Sequence, residues 1–496
     1  VESLSRASVP AGALIGASAP LDPARAGIIH LGLGAFHRAH AAVHTARALA
    51  AEPGDWGIIG FAGRSRAVVD PMSRQDGLYS VLELSQTGRR AGVVDVHRGF
   101  ATMADQPDRV IAEIADPARR ILTLTVSEGG YSRSARTGDL DVGRPMIRED
   151  LAAPDRPRSV IGMLARGLTE RSTSGEPFTV LPCDNLPAAG ATARRMVTEF
   201  LERSAASDDV LAYVREQVAF PNAMVDRIVP ATTPQTSQEV AELLGVHDEA
   251  PVRAEEFTMW VIEDDFPGGR PAWEQAGVTF SDEVAGYEEV KLRILNGTHS
   301  LLAYLGALDG RTIIPAAWDQ ELIRAAGTAM IRRDCLPTIE VPAGLDVEEY
   351  IDSLSRRWQN HTLGHRTSQV GSDGSMRLPQ RIPTPALHWL RRGRMPHLLA
   401  LTVASWFAAV VPPTGYDPGP VAAAMTDPDQ AMLRGIAEGA RSPAEHARRL
   451  LASGCLSEEI AEQDAFIDRV GELLGIIVAS GPLAAAQEAI EASETP

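Results

Sequence analysis

The sequence predicts an α/β N-terminal half followed by a mostly α-helical C-terminal half. Three observations predict it. Short apolar runs alternate with helical segments between residues 28 and 181, the pattern of a parallel sheet with helices on its faces. The first run, Ile28 to Leu31, ends in Gly32-Leu33-Gly34 just ahead of an Ala-rich helical stretch. After Gly286 strand signals nearly vanish and the apolar period becomes helical.

Taken in order, residues 1–27 are rich in Ala, Pro and Ser and read as an arm. Strand 28–31 leads through the glycine turn into helix 36–51, and 56–61 is a second apolar strand. Residues 79–84 and 92–96 are further strands, 108–114 a helix, and 120–126 a strongly apolar strand ending at Ser127-Glu128-Gly129-Gly130. Helix 159–170 and strand 178–181 follow. Beyond residue 286, segments 291–308, 316–332, 347–359, 397–411, 444–452 and 458–479 carry helical periodicity. Ser442-Pro443-Ala444-Glu445 spells a capping box with proline at the first helical position. The reading is a Rossmann-like dinucleotide-binding domain over 1–284 and a helical substrate-binding domain over 285–496.

Gly32 permits a tight turn, and Gly34 lets the backbone approach a pyrophosphate at the following helix N-terminus. Phe36 opens that helix, and His37 stands where the usual fingerprint has its third glycine. A plain strand–turn–helix corner is the alternative for this motif alone. The end of the second strand reads Gly60-Phe61-Ala62-Gly63-Arg64-Ser65-Arg66, and no carboxylate appears before Asp70. An acidic residue there would hold ribose hydroxyls, whereas Arg64 or Arg66 would accommodate a 2′-phosphate. NAD is the expected cofactor, with NADP open.

The bulk numbers narrow the partners. The chain of 496 residues has 47 basic and 65 acidic side chains, a net charge of −18. That argues against nucleic acid and anionic membranes, although a pocket can be locally basic. No run is long enough to span a bilayer, and the N-terminus lacks the form of a signal peptide. Cys183, Cys335 and Cys455 lie far apart with no zinc-site spacing, an odd count that suits a reducing compartment. The expectation is a cytoplasmic protein, a monomer or small homo-oligomer, acting on a small molecule without a metal.

Lys291-Leu-Arg-Ile-Leu-Asn296-Gly-Thr-His299 carries the chemistry. At roughly 100° per residue, Asn296 falls roughly 140° from Lys291 and His299 roughly 80°, on one half of a helix. Lysine can take a proton from an alcohol if its pKa is depressed. An amide can steady the developing alkoxide, and an imidazole can bind a neighbouring hydroxyl. A rival lies in the same segment: Tyr287-Glu-Glu-Val-Lys291 matches the Tyr-x-x-x-Lys pair of short-chain dehydrogenases. Asn296 and His299 have no role in that scheme.

Several segments together resemble one family, the mannitol dehydrogenases, which are long-chain, polyol-specific and zinc-independent. They are Gly32-x-Gly34-x-Phe36-His37-Arg38-Ala39-His40, Ser127-Glu128-Gly129-Gly130-Tyr131, Cys183-Asp184-Asn185, Phe220 to Ile228, and Lys291-x4-Asn296-Gly297-x-His299. The resemblance implies that Lys291 is the general acid/base and that Asn185 and Asn296 hold the reacting oxygen. It implies that Asp226 and His299 lie near the substrate, with Glu128 and Glu288 close to the reaction centre. The segment from His365 to Arg381 looks like the fructuronate reductase (mannonate oxidoreductase) branch, with Gln369 where the mannitol 2-dehydrogenase branch places arginine. Arg366 or Arg377 would then pair with a substrate carboxylate. Arg377 departs from the lysine usual in the family, and His361 from a common proline.

The expected reaction is therefore the interconversion of ketone and secondary alcohol on an open-chain sugar acid or polyol. Fructuronate/mannonate leads and fructose/mannitol comes second. A nucleotide-bound sugar sensor would keep the glycine turn without needing the Lys291 segment. A sugar-phosphate dehydrogenase would want a dedicated phosphate pocket, which the sequence does not display.

Overall fold

The computed structural model describes residues 2–134 and 137–494. They form two compact units, Val1–Ala285 and Gly286–Pro496.

The first unit is built on six strands: β1 (Ile28–Leu31), β2 (Ile58–Ala62), β3 (His97–Thr102), β4 (Ile121–Leu124), β5 (Phe178–Pro182) and β6 (Val218–Ala219). All pairs are parallel, and their spatial order is 3-2-1-4-5-6, the doubly wound order of a Rossmann fold. Both faces are covered. Ile28, Ile58, Ile121 and Leu181 pack into one core, while Ile29, Ile59, Leu122 and Val180 pack into the other. Burial on both faces is why these strands read as continuous apolar runs rather than alternating ones.

Three readings change. Residues 1–27 are not a loose arm: Glu2–Ser3 pairs with Val246–His247, and Leu14 bridges to Val93. The helix expected over 36–51 is two helices, α1 (Ala35–Ala39) and α2 (Ala41–Ala51), broken at His40 with φ −123° and ψ −90°. The strand expected at 92–96 runs over Gly88–Val94, and β3 follows where no strand was expected.

The order reverses between β1 and β4, and there Gly32 meets Thr125. Gly32 has φ +103°, and a Cβ on it would lie 2.0 Å from the Thr125 carbonyl oxygen. Thr125 donates its hydroxyl to the Gly32 carbonyl at 2.7 Å. Only glycine adopts this backbone without strain, and the obstacle is main chain that cannot rotate away. Gly32→Ala is therefore expected to destabilise the first unit by about 3 kcal/mol or more, read as a lowered urea midpoint. An unchanged midpoint would show that the turn relaxes freely.

The second unit is helical. His397–Val410 is buried nearly all round, as its unbroken apolar sequence requires. Asp334 caps it, accepting the Leu398 and Leu399 N–H groups at 2.9 and 3.0 Å. Ser442 caps Pro443–Ala452 through the Glu445 N–H at 3.1 Å. The box expected there is half-formed, because the Glu445 carboxylate accepts from the Arg441 N–H instead. No described helix is long and apolar enough to cross a membrane.

Candidate active site

In the first unit Gly32, Gly34, Arg64, Arg66, Glu128 and Asn185 follow the carboxyl ends of strands of the six-stranded sheet, where a ligand of a doubly wound sheet sits, whereas Asp226 belongs to a separate three-stranded sheet. Gly34 begins α1, and a Cβ there would meet only the Gly32 carbonyl oxygen, at 3.6 Å. The space over this backbone is open, so the corner fits a dinucleotide pyrophosphate. Phe36 stacks on His40 with ring centroids 5.0 Å apart. At the end of β2, Arg64 is exposed. Arg66 is engaged with Asp70 at 2.8 Å and Asp105 at 3.2 Å, so a 2′-phosphate would have to compete with two carboxylates for it.

Glu128 lies exposed on the short helix Ser127–Gly130 after β4. Asn185 follows β5 and is exposed. Asp226 ends the strand Ala223–Asp226 and is buried. Its neighbour Arg227 is paired elsewhere, with Glu83 at 2.8 Å.

Sequence reasoning passed over Asp184, which joins two of these segments. Its carboxylate accepts the Ser127 N–H at 2.9 Å, the Val126 N–H at 3.2 Å and the Tyr131 hydroxyl at 2.7 Å. Burial raises its pKa, and nearby Glu128 adds to this against those hydrogen bonds. Ser127 is held at φ +62°, a conformation that a non-glycine residue adopts only when its surroundings impose it. Asp184 thus fixes the turn carrying Glu128 to the strand end carrying Asn185. The two motifs were visible separately; their junction required the β4–β5 pairing.

Behind this corner lies a buried histidine cluster. His30 stacks on His37 at 3.4 Å between centroids, and His37 Nε2 is 3.0 Å from His97 Nε2. Such a contact needs one ring to donate and the other to accept, and with both rings kept neutral at pH 7 by burial they take opposite tautomers. Burial holds His37 and His97 well below the ordinary imidazole pKa and pulls His30 down to about 3.

In the second unit, Lys291, Asn296 and His299 lie on consecutive turns, but not of one α-helix. Val284–Val290 is α-helical, Lys291–Gly297 is a π-helix, and Thr298–Leu308 is α-helical again. The α-helical angles do not apply across 291–297. Hydrogen bonding of i to i+5 widens the turn and relates residues five apart, which is the separation of Lys291 and Asn296. Lys291 and Asn296 are each half-buried, and His299 is buried. Tyr287, the rival acid/base, is 3% exposed.

His299 faces His365, edge to face, at 5.4 Å between centroids, and Trp358 at 5.9 Å. Its Nε2 has no hydrogen-bond partner among the described residues. Burial, with His365, Arg357 and Arg381 beside it, holds its pKa well below the ordinary value. His365 is pulled down to about 4 by burial, Arg357 and Arg377. Arg357, Arg377 and Arg381 thus help to keep the two rings neutral.

Of the arginines expected to read a carboxylate, Arg366 is exposed at the start of the helix Thr367–Gly371, as is Gln369 within it. Arg377 is turned onto Asp373 at 3.2 Å and the Val370 carbonyl at 3.1 Å. Arg381, one helical turn further on, donates from Nη1 to the Asn296 carbonyl at 3.1 Å and to Ser300 Oγ at 2.8 Å. Sequence alone could not rank these arginines, because the ranking depends on which are exposed and which already have partners.

Comparison with known proteins fits this arrangement. The family model for the mannitol dehydrogenase Rossmann domain matches residues 26–275, and that for the mannitol dehydrogenase C-terminal domain matches 283–476. The chain is 39% identical over 384 residues to D-mannonate oxidoreductase of Escherichia coli (strain K12), spanning 76% of this chain and 79% of that protein. It is 39% identical over 384 residues to mannitol 2-dehydrogenase of Cereibacter sphaeroides, spanning 77% and 80%. The solved ternary complex of Pseudomonas fluorescens mannitol 2-dehydrogenase with NAD and D-mannitol superposes with a TM-score of 0.87 at 32% identity, over 100% of both chains. A Rossmann unit with this strand order, a helical unit carrying Lys291, Asn296 and His299, and a match to both family models place the chain in the mannitol dehydrogenase family, among the oxidoreductases that act on CH–OH groups.

Proposed function

We propose that this chain interconverts a ketone and a secondary alcohol on an open-chain sugar acid, with NAD as cofactor and D-fructuronate/D-mannonate as the substrate pair. One observation carries the preference for an acid. Arg357, Arg377 and Arg381 lie near His299 and His365, Arg377 paired with Asp373 and Arg381 with no ion pair among the described residues, in a protein whose net charge is −18. A concentration of cations in an acidic protein favours an anionic ligand. The equal identity to a mannitol 2-dehydrogenase supports D-fructose/D-mannitol as the second reading.

The first unit is assigned the dinucleotide, with Gly32 and Gly34 shaping the backbone beneath its pyrophosphate and Phe36 opening the helix that follows. When bound, the nicotinamide supplies or receives the hydride. Lys291 Nζ donates a proton to the ketone oxygen in reduction and accepts it back in oxidation. The Asn296 and Asn185 amides are assigned as donors to that oxygen. His299, neutral at pH 7 because its pKa is depressed, and Asp226 are assigned to substrate hydroxyls. Glu128 is assigned to the cofactor side. Arg64, exposed after β2, keeps NADP as the alternative cofactor.

A steady-state panel of D-mannonate, D-mannitol, D-arabinitol and D-sorbitol, each with NAD and NADP, tests the reading. Mannonate with NAD is expected to give the highest kcat/KM. Turnover of mannitol with none of mannonate would reverse the substrate order.

A further inference from the structure

We propose that Arg381 receives the carboxylate of the sugar acid and so sets the preference for acid over polyol, an inference that rests on the reading above. Arg381 ends the helix Gly374–Arg381 and is partly buried. Its Nη1 is committed to the Asn296 carbonyl and Ser300 Oγ. This anchors the guanidinium to the segment that carries Lys291 and Asn296. Nε and Nη2, which form the other edge of the fork, have no hydrogen-bond partner among the described residues, and Arg381 has no ion pair there.

Arg227, buried in the first unit, is paired with Glu83, and Arg377 has Asp373. Arg381 instead has Arg377 as a charged neighbour, and burial together with that repulsion pulls its pKa down to about 10. It still carries its charge at neutral pH. A partly desolvated cation without an anion is unfavourable. A carboxylate laid along Nε and Nη2 would relieve this with two parallel charge-assisted bonds. A polyol hydroxyl in the same place offers a single neutral acceptor, worth much less.

Arg381→Met and Arg381→Lys, compared with wild type, test this. Three quantities are read: kcat/KM for D-mannonate and for D-mannitol, the rise in melting temperature that each produces, and NADH affinity by fluorescence titration. In Arg381→Met, kcat/KM for mannonate is expected to fall about 100-fold, chiefly through KM. The value for mannitol should change less than tenfold, NADH affinity should hold, and the thermal shift by mannonate should vanish. Arg381→Lys keeps the charge without the fork and should recover only part of the loss, which keeps the test decisive if the methionine variant does not fold. Equal losses on mannonate and mannitol would reduce Arg381 to a support for the Asn296 turn and overturn the proposal. Retained mannonate turnover would overturn it too, while leaving the proposed function standing. Wild-type enzyme inert to every sugar acid would sink that function itself.

Discussion

Replacing Lys291 with alanine is expected to lower kcat by ~10²–10⁴-fold, the usual contribution of a positioned general acid/base, with little change in melting temperature. Lys291 is half-buried at the first position of the π-turn. Alanine keeps the helical backbone here, so the loss should be chemical and not structural. Lys291→Arg should fare little better, because a guanidinium keeps its protons across the working pH range. A small primary amine added to the alanine variant should restore part of the rate, with a pH dependence that follows the added amine. Near-normal turnover in Lys291→Ala would remove this residue from the proton-transfer step.

The second large effect is loss of stability in mild acid. His30, His37, His44 and His97 in the first unit, and His299, His365, His388, His397 and His446 in the second, have folded pKa values below the ordinary 6.5, burial being the largest cause in each case. The folded state therefore binds fewer protons than the unfolded chain. Stability is complete above pH 6.5 and declines as the pH falls below it. One pH unit below 6.5, each of the four imidazoles in the first unit costs about 1.4 kcal/mol. Together they remove about 5 kcal/mol from that unit, a large share of the ~5–15 kcal/mol typical of a domain. Asp334, raised to about 7 by burial, acts in the opposite direction in the second unit, and Asp184, also raised by burial, does so in the first. Urea titrations at pH 7.5 and 5.5 should show a lower midpoint at the acid pH. Equal midpoints at the two pH values would mean that these rings are hydrated and titrate normally.

What the sequence disclosed follows from what leaves a local trace. The four central strands are mostly apolar because both faces are covered, with His30, Thr123 and Thr179 as buried polar exceptions, and the run 28–31 could be placed to the residue. The helix 36–51 was seen without its break, because nothing in the Ala-rich stretch marks His40 as the corner. The π-turn escaped for a similar reason: its apolar residues satisfy an α-helical period well enough, and its wider pitch appears only in the backbone. Asp184 and Arg381 escaped because each earns its role from a partner distant in sequence, Ser127 for one and Asn296 for the other.

The π-turn also governs how the reacting groups are spaced. An amine and an amide five residues apart on a π-helix keep their separation by the pitch of the main chain, not by the rotamers of a loop. A single deletion between residues 292 and 295 would let the segment rewind as α-helix, swinging the lysine round the axis while every side chain named here remained in the protein. The spacing of the proposed catalytic pair is thus encoded in residue count, which one lost codon would change.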